Sequence, residues 1–289
     1  MKTFTGWVGP INDVGPTGLP DWTAVCPLWV SGTHSAGWRR QVAVPNLAVD
    51  LFGFSQASDD HLLSAAREFA RRGDLMVLDA IATGSAVLVI REPQRVTVLT
   101  DLAGVWPVFY AQVGERFVYS SSASVVAGYV GRAVDERWLA ARLLAGGIPA
   151  VWSEGSVYRG VAATPAGGVL LLDRGGWPAV IRRELPLGMS SFPEGSRRLG
   201  EALSSAVGAR MAAHGEVSAD LSGGLDSSVV AALAASARPR PALHTITVSC
   251  AELGSDDPVH ARRVAAAVPG MKHIELPLPG KVDPYAALT

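Results

Sequence analysis

The sequence predicts a chain of two parts: an α+β domain, followed by a partial α/β domain built on a parallel sheet. Three observations carry this prediction. Residues 1–187 contain short β-forming runs separated by turn signals, with few helical patterns. Residues 186–193, PLGMSSFP, are rich in Pro, Gly and Ser, and we place the linker there. Residues 194–289 alternate helical and strand patterns, which is typical of a parallel sheet with crossover helices.

Two hairpins are predicted in the first part. Runs at 107–111 and 116–120 flank the turn QVGE, and runs at 168–172 and 179–181 flank the turn DRGGWP. Short antiparallel connections of this kind indicate sheets packed in layers with a few helices. The remaining predicted elements are strands at 86–90 and 96–99 and helices at 61–72 and 135–144.

The second part begins with a helical pattern at 194–214, in which apolar residues recur every three or four positions. Strands are predicted at 217–221, 243–248 and 273–276, and helices at 227–237 and 258–267. An open sheet usually has four to six strands. Three strands therefore predict only part of such a domain.

Composition limits the class of protein. Hydrophobic residues make up 48% of the 289 residues, and the net charge is -1, which indicates a globular protein without a nucleic-acid or anionic-membrane partner. The two cysteines, Cys26 and Cys250, form no CxxC pair, which fits a reducing cytosol. The N-terminus has no apolar signal region, and the apolar run 75–90 is interrupted by Asp79 and too short to span a bilayer. We therefore expect a cytoplasmic protein.

The segment SGGLDSS, residues 222–228, predicts a site for a Mg²⁺-bound pyrophosphate. It follows a predicted strand and opens a helix, whose free N–H groups and dipole favour anions. Gly223 and Gly224 would let phosphate oxygens approach the backbone, and Asp226 beside phosphates is suited to hold Mg²⁺. Further donors are the hydroxyl groups of Ser222, Ser227 and Ser228.

A structural interpretation of the same segment is a Gly-Gly turn in which Ser and Asp cap a helix. The segment is not a Walker A loop, because no lysine follows the glycines, and the chain contains no G-x-S-x-G elbow. Downstream, Asp256 and Asp257 are open to either a functional or a helix-terminal role. His273 is expected to be structural, and Cys250 a small buried apolar residue.

SGGLDSS resembles the pyrophosphate loop of the ATP pyrophosphatase superfamily, and most of all that of the asparagine synthetase family. The resemblance continues through LHTITVSCAELGSDDPVHARRVAAAVPGMKHIELPL. It implies an AMP-forming ligase with ATP and Mg²⁺: a carboxylate is adenylated, pyrophosphate leaves on the loop, and an amine attacks the acyl-adenylate. It further implies that Asp226 faces the metal and that the strand ends at Leu221 and Val248 contact adenine.

The first part resembles the family's class II glutamine amidotransferase domain, which implies an Ntn-type αββα fold. VLTDLAGVWPVFYAQVGERFVYSSSASVVAGYV carries the resemblance. Working glutaminases of the family open Met-Cys-Gly-Ile-x-Gly-Trp with a nucleophilic cysteine, whereas this chain opens MKTFTGW, with Lys2 at that position. The family's Asn-Gly-Glu motif is also missing. We therefore expect no glutaminase activity and structural roles for Asp101, Gly104, Pro107 and Tyr110.

A ligase without its own ammonia source takes an amine already present on a substrate. The lasso-peptide macrolactam cyclases and the β-lactam synthetases are branches of this kind. We favour the cyclases, in which the N-terminal amine of a precursor peptide attacks an adenylated Asp or Glu side chain. The alternatives are a β-lactam synthetase acting on a small-molecule acid, an asparagine synthase using ammonia, and a non-catalytic peptide-binding subunit.

The family's second acidic Gly-rich motif and its catalytic lysine have no counterpart in this sequence. We therefore expect the chain to be truncated or split, with the catalytic residues beyond Thr289 or on a second polypeptide that completes the synthetase domain. Alone, it would bind ATP weakly and ligate nothing. Three residues of the helix after the loop would lack part of the sheet against which they should pack: Val229, Val230 and Leu233.

Overall fold

A computed structural model describes residues 2–9, 26–32, 37–79, 81, 84–148, 154–183, 188–238, 242–249 and 255–278. The chain divides into two compact units, Met1–Pro186 and Leu187–Thr289. The prediction of a mixed α/β chain is confirmed: the sheets of the first unit are antiparallel and that of the second is parallel. The first two residues of the predicted linker, 186 and 187, and Cys250 lie outside the described residues.

Two antiparallel sheets form the first unit. Their described strands are β1 (Thr3–Val8), β2 (Leu28–Ser31), β3 (Arg39–Val44), β4 (Leu47–Ser55), β5 (Gly84–Arg91), β6 (Arg95–Leu99), β7 (Val108–Val113), β8 (Arg116–Ser120), β9 (Ala162–Thr164), β10 (Gly168–Asp173) and β11 (Ala179–Arg182). The strand orders are β2-β1-β8-β7-β9 and β11-β10-β6-β5-β4-β3. Both predicted hairpins, β7–β8 and β10–β11, are confirmed.

The first unit has four described helices, which are α1 (Asp59–Arg72), α2 (Met76–Asp79), α3 (Ala123–Val130) and α4 (Glu136–Leu144). Of these, α1, α2 and α3 pack on the outer faces of the two sheets. Leu62 and Phe69 of α1 pack on the six-stranded sheet, and Val126 of α3 packs on the five-stranded sheet. Between the two sheets lies an apolar core that includes Phe4 and Phe117. The layers therefore run helix, sheet, sheet, helix.

A buried ion cluster lies at the β4–β5 pair. The side chains of Asp50 and Arg91 are both 0% exposed, and Arg91 Nε lies 2.8 Å from Asp50 Oδ2. The other carboxylate oxygen accepts from Arg39 Nη2 at 2.6 Å, and Arg91 Nη1 donates to the Cys26 carbonyl at 2.9 Å. Charges removed from water need such partners, because desolvation of each ion costs several kcal/mol.

The second unit has the predicted alternation of helices and strands. Its described elements are α5 (Phe192–Ala213), β12 (Glu216–Asp220), α6 (Leu225–Ser236), β13 (Ala242–Ser249), α7 (Asp257–Ala267) and β14 (Met271–Pro277). The helix α5 begins two residues before residue 194, where the second domain was predicted to begin. The strands form a parallel sheet in the order β12-β13-β14. No helix in the described part of the chain is long and apolar enough to cross a bilayer.

Only one face of this parallel sheet is covered by the described helices. Ala231 of α6 and Ala261 of α7 pack together with Leu221, and α5 packs near them through Met211. The opposite face carries exposed apolar side chains at Val248, Ile274 and Leu276. On α6 itself, Leu225, Val229 and Val230 are exposed, whereas Leu233 is half-buried.

Candidate functional site

The loop of residues 222–228 begins at the carboxyl end of β12, the edge at which parallel α/β sheets bind ligands. Leu221, the residue before the loop, is fully buried. Its N–H donates to the Ile246 carbonyl at 2.8 Å, and its carbonyl accepts the hydroxyl of Thr247. Val248 lies at the end of the neighbouring strand and is 59% exposed. The two strand ends at which adenine contact was predicted therefore lie at the same edge.

Gly223 takes a backbone conformation that only glycine adopts readily. Its φ is +91°, and a Cβ placed on it would lie 2.2 Å from the carbonyl oxygen of Asp257. The loop thus passes directly against the first residue of α7. As a result, the N-termini of α6 and α7 meet at the loop, and the dipoles of both helices favour negative charge there.

Gly224 is the N-cap residue of α6, with φ -72°. The N–H groups of the first turn, at Leu225, Asp226 and Ser227, have no partner within the helix. The first helical bond runs from Ser228 N to the Gly224 carbonyl at 3.2 Å. A row of backbone donors at a glycine-rich turn is the arrangement that binds phosphate groups.

The three predicted serines are brought together by hydrogen bonds within the loop. The hydroxyl oxygens of Ser222 and Ser227 are 2.9 Å apart, and Ser227 Oγ also accepts from Ser222 N at 3.2 Å. Ser228 Oγ donates to the Gly224 carbonyl at 2.7 Å. None of these hydroxyls accepts an N–H of the first turn of α6. The loop is therefore closed by its own hydrogen bonds, and the side-chain capping considered as a structural interpretation is not observed.

Asp226 is exposed in the first turn of α6, and Asp256 and Asp257 are exposed at the start of α7. Asp256 makes no side-chain cap bond to its helix. Among the described residues, no group of three or more His, Cys, Asp or Glu side chains is placed to hold a metal ion. A single carboxylate nevertheless fits Mg²⁺, which binds one or two carboxylates together with substrate phosphates and water.

The structural role predicted for His273 agrees with its position. His273 lies on β14, and its Nδ1 is 3.2 Å from the hydroxyl oxygen of Thr245 on β13. This contact ties two strands together away from the loop. Glu275 lies on the same strand, and its Oε2 is 2.6 Å from Nη1 of Arg262 on α7. The hydrogen bond from this guanidinium holds the pKa of the Glu275 carboxyl below its usual value.

In the first unit, the segment around Asp101 forms a turn. Asp101 Oδ1 accepts the N–H groups of Ala103 and Val105, each at 3.0 Å, and Oδ2 accepts that of Trp106 at 2.9 Å. Gly104 within this turn has φ +67°. Pro107 immediately precedes β7, and Tyr110 is the third residue of that strand. The contacts support the structural roles expected for Asp101 and Gly104.

Lys2 lies immediately before β1, next to aromatic side chains. Its Nζ is 5.9 Å from the centre of the Trp38 ring, a distance at which a cation is attracted to an aromatic face. Trp38 in turn contacts Phe52 and Trp106, and its ring centre lies 5.2 and 6.2 Å from theirs.

Burial raises the pKa of the Cys26 thiol to about 11. At neutral pH this cysteine is therefore protonated and a poor nucleophile.

Comparison with known proteins gives one family match, which falls in the second unit. Residues 198–281 match the model of the family described as asparagine synthase. This range contains the loop, both aspartates of α7 and Val248. No curated protein matches at a significant level.

Two solved structures are similar at low identity. One is glutamine phosphoribosylpyrophosphate (PRPP) amidotransferase from B. subtilis complexed with ADP and GMP: 14% identity, TM-score 0.33, covering 86% of this chain and 51% of that chain. The other is described as the allosteric regulatory enzyme of purine biosynthesis: 12% identity, TM-score 0.29, covering 81% and 61%. The present chain thus spans between one half and two thirds of the length of these proteins.

Proposed function

We propose that this protein acts in an AMP-forming, ATP-dependent amide ligation in which residues 222–228 bind the pyrophosphate of ATP. The observation that carries this proposal is the strand–loop–helix unit itself. Gly223 is held in a left-handed conformation against Asp257, which directs the loop between two helix N-termini. The family match over residues 198–281 supports the same chemistry.

In this proposal the free N–H groups of Leu225, Asp226 and Ser227 bind phosphate oxygens, and the serine hydroxyls turn from the loop carbonyls to the ligand. The Asp226 carboxylate would hold Mg²⁺, which would supply positive charge to neutralise the phosphates. The adenine lies toward the strand ends at Leu221 and Val248. Because the Leu221 side chain is buried and its N–H and carbonyl bond to Ile246 and Thr247, the contact with adenine would come mainly from the exposed side chain of Val248.

We further propose that the first unit is an Ntn-type, amidotransferase-like domain without glutaminase activity. Its helix–sheet–sheet–helix layers support this type of fold. Lys2 stands in the position of the nucleophile and contacts Trp38, and an ammonium group cannot replace a thiolate in amide hydrolysis. Cys26, the one cysteine among the described residues, is buried, and burial raises the pKa of its thiol to about 11.

The proposed reaction joins a carboxylate to an amine of the same peptide. A carboxylate oxygen of an Asp or Glu side chain attacks the α-phosphorus of ATP, and the bond to pyrophosphate breaks. The N-terminal amine then attacks the acyl carbon, AMP leaves with the electron pair of the broken C–O bond, and the amine loses a proton. The macrolactam product is of the lasso-peptide kind.

A second polypeptide is proposed to complete the ATP-binding domain. Parallel sheets are normally covered on both faces, whereas Val248, Ile274 and Leu276 are exposed on one face here. A layer from a partner would bury these side chains. Alone, the chain would retain the phosphate loop and bind nucleotide weakly.

The test is a set of AMP-formation assays on the protein purified from its native host, so that any partner polypeptide is present. With radiolabelled ATP and Mg²⁺, we expect AMP from an acidic precursor peptide with a free N-terminus. The same peptide with an acetylated N-terminus is the matched control: it should support ATP–pyrophosphate exchange but no cyclic product.

Other results of these assays would indicate a different reaction or a binding role. AMP from aspartate plus ammonium would indicate an asparagine synthase, and AMP from a small-molecule β-amino acid would indicate a β-lactam synthetase. Glutamine replacing ammonium would contradict the inactive first domain. Peptide binding without any nucleotide binding would indicate a peptide-binding subunit, and formation of ADP would contradict the AMP-forming reaction.

A further inference from the structure

Two threonines of β13, Thr245 and Thr247, are buried on the face of the sheet that the helices cover, with exposures of 0% and 2%. A hydroxyl group removed from water needs a hydrogen-bond partner. Valine would fill the same space without a polar group, so each threonine hydroxyl must find a hydrogen-bond partner inside this layer. The two threonines bond to different partners.

Thr245 bonds to the neighbouring strand. Its Oγ1 lies 3.2 Å from Nδ1 of His273 on β14. Thr247, two residues on, donates its hydroxyl to the carbonyl of Leu221, the last residue before the phosphate loop. The paired register of β12 with β13 ends at Asp220 and Ile246. The hydroxyl of Thr247 thus continues the connection between the strands one residue beyond their ladder.

The contact reaches the loop through the planar peptide bond. The carbonyl of Leu221 and the N–H of Ser222 belong to the same rigid peptide unit. Fixing the oxygen on one side fixes the direction of the N–H on the other, and that N–H is the first donor of the loop. In the structure, the Ser222 N–H donates to Ser227 Oγ at 3.2 Å.

We propose that Thr247 is a positioning residue of the pyrophosphate site: by holding the Leu221 carbonyl, its hydroxyl sets the orientation of the Ser222 N–H and of the loop that follows. The inference rests on the proposed function of the loop. Thr247 itself touches no phosphate in this scheme. Its loss would leave the Leu221 carbonyl buried without this donor and free to tilt.

The experiment measures binding of inorganic pyrophosphate, in the presence of Mg²⁺, to the full chain by isothermal titration calorimetry. Thr247→Val removes the hydroxyl at nearly constant volume, and we expect roughly tenfold weaker binding. Thr247→Ser keeps the hydroxyl and should restore an affinity within about twofold of wild type. Thr245→Val is the matched control, because it removes an equally buried hydroxyl from the same strand face without touching the loop.

Thermal unfolding of all three variants separates a loss of position from a loss of fold. We expect Thr245→Val and Thr247→Val to lower the unfolding temperature similarly, while only Thr247→Val weakens binding. Equal weakening by both valine variants, unchanged affinity in Thr247→Val, or failure of Thr247→Ser to restore binding would each overturn the inference. If wild type binds no pyrophosphate, the proposed function of the loop fails, and the inference falls with it.

Discussion

Replacing Gly223 with alanine should abolish detectable pyrophosphate binding and destabilise the second unit by about 2–4 kcal/mol. Two costs add at this position. A non-glycine residue at φ +91° is strained, and the new Cβ would lie 2.2 Å from the Asp257 carbonyl oxygen. Because that oxygen belongs to the backbone of α7, relief requires the loop and the helix to separate, which would also destroy the convergence of the two helix N-termini.

Gly224→Ala is the control for this prediction. Gly224 has φ -72°, and a Cβ there would meet only Ser222 Oγ, at 3.5 Å. We expect a stability loss below about 1 kcal/mol, since alanine is merely a weaker N-cap than glycine. Unfolding is followed by circular dichroism, because all eight tryptophans lie at or before residue 177 and report on the first unit. Equal stability losses in the two variants would contradict the role assigned to Gly223.

The second large effect is expected in the first unit. Asp50→Asn removes the buried negative charge that Arg91 and Arg39 both contact. We expect a loss of about 3–5 kcal/mol, because breaking a buried ion pair leaves charge uncompensated in a medium of low polarity. Urea unfolding monitored by tryptophan fluorescence measures this loss in the first unit.

A surface ion pair of the same two residue types gives the comparison. Arg95 Nε contacts Asp173 at the paired ends of β6 and β10, where their side chains are 52% and 41% exposed. Asp173→Asn should cost less than about 1 kcal/mol, since water already screens this pair. If Asp50→Asn is as mild as Asp173→Asn, the cluster does not stabilise the fold as described.

Local patterns in the sequence predicted those elements whose signal lies within a few residues. The β7–β8 and β10–β11 hairpins have a turn between two β-forming runs, and the second unit has regular alternation of helix and strand. The strands β1 to β4 were not predicted. β4 carries Asp50 inside an apolar run, and β3 begins with Arg39 and Arg40. Asp50 is compatible with a core strand only because Arg91, 41 residues away, reaches it.

The site shows the same division between local and tertiary information. The segment SGGLDSS was sufficient to predict the loop, but not the contact of Gly223 with α7. In β13, polar residues alternate with Ile246 and Val248, a pattern that ordinarily places the apolar side chains inside. Here Thr245 and Thr247 are buried and Val248 is exposed. The reason is tertiary: His273 and the Leu221 carbonyl provide the partners for the two hydroxyls.

The central claim is that residues 222–228 form a Mg²⁺–pyrophosphate site, and a calorimetric titration of the full chain tests it most directly. With Mg²⁺, we expect one pyrophosphate to bind per chain, ATP to compete with it, and orthophosphate to bind far more weakly. Asp226→Asn should weaken binding by roughly tenfold or more with Mg²⁺ and only slightly without it, because its carboxylate acts through the metal. No binding of pyrophosphate, equal binding of orthophosphate, or an unchanged Mg²⁺ dependence in Asp226→Asn would contradict the claim.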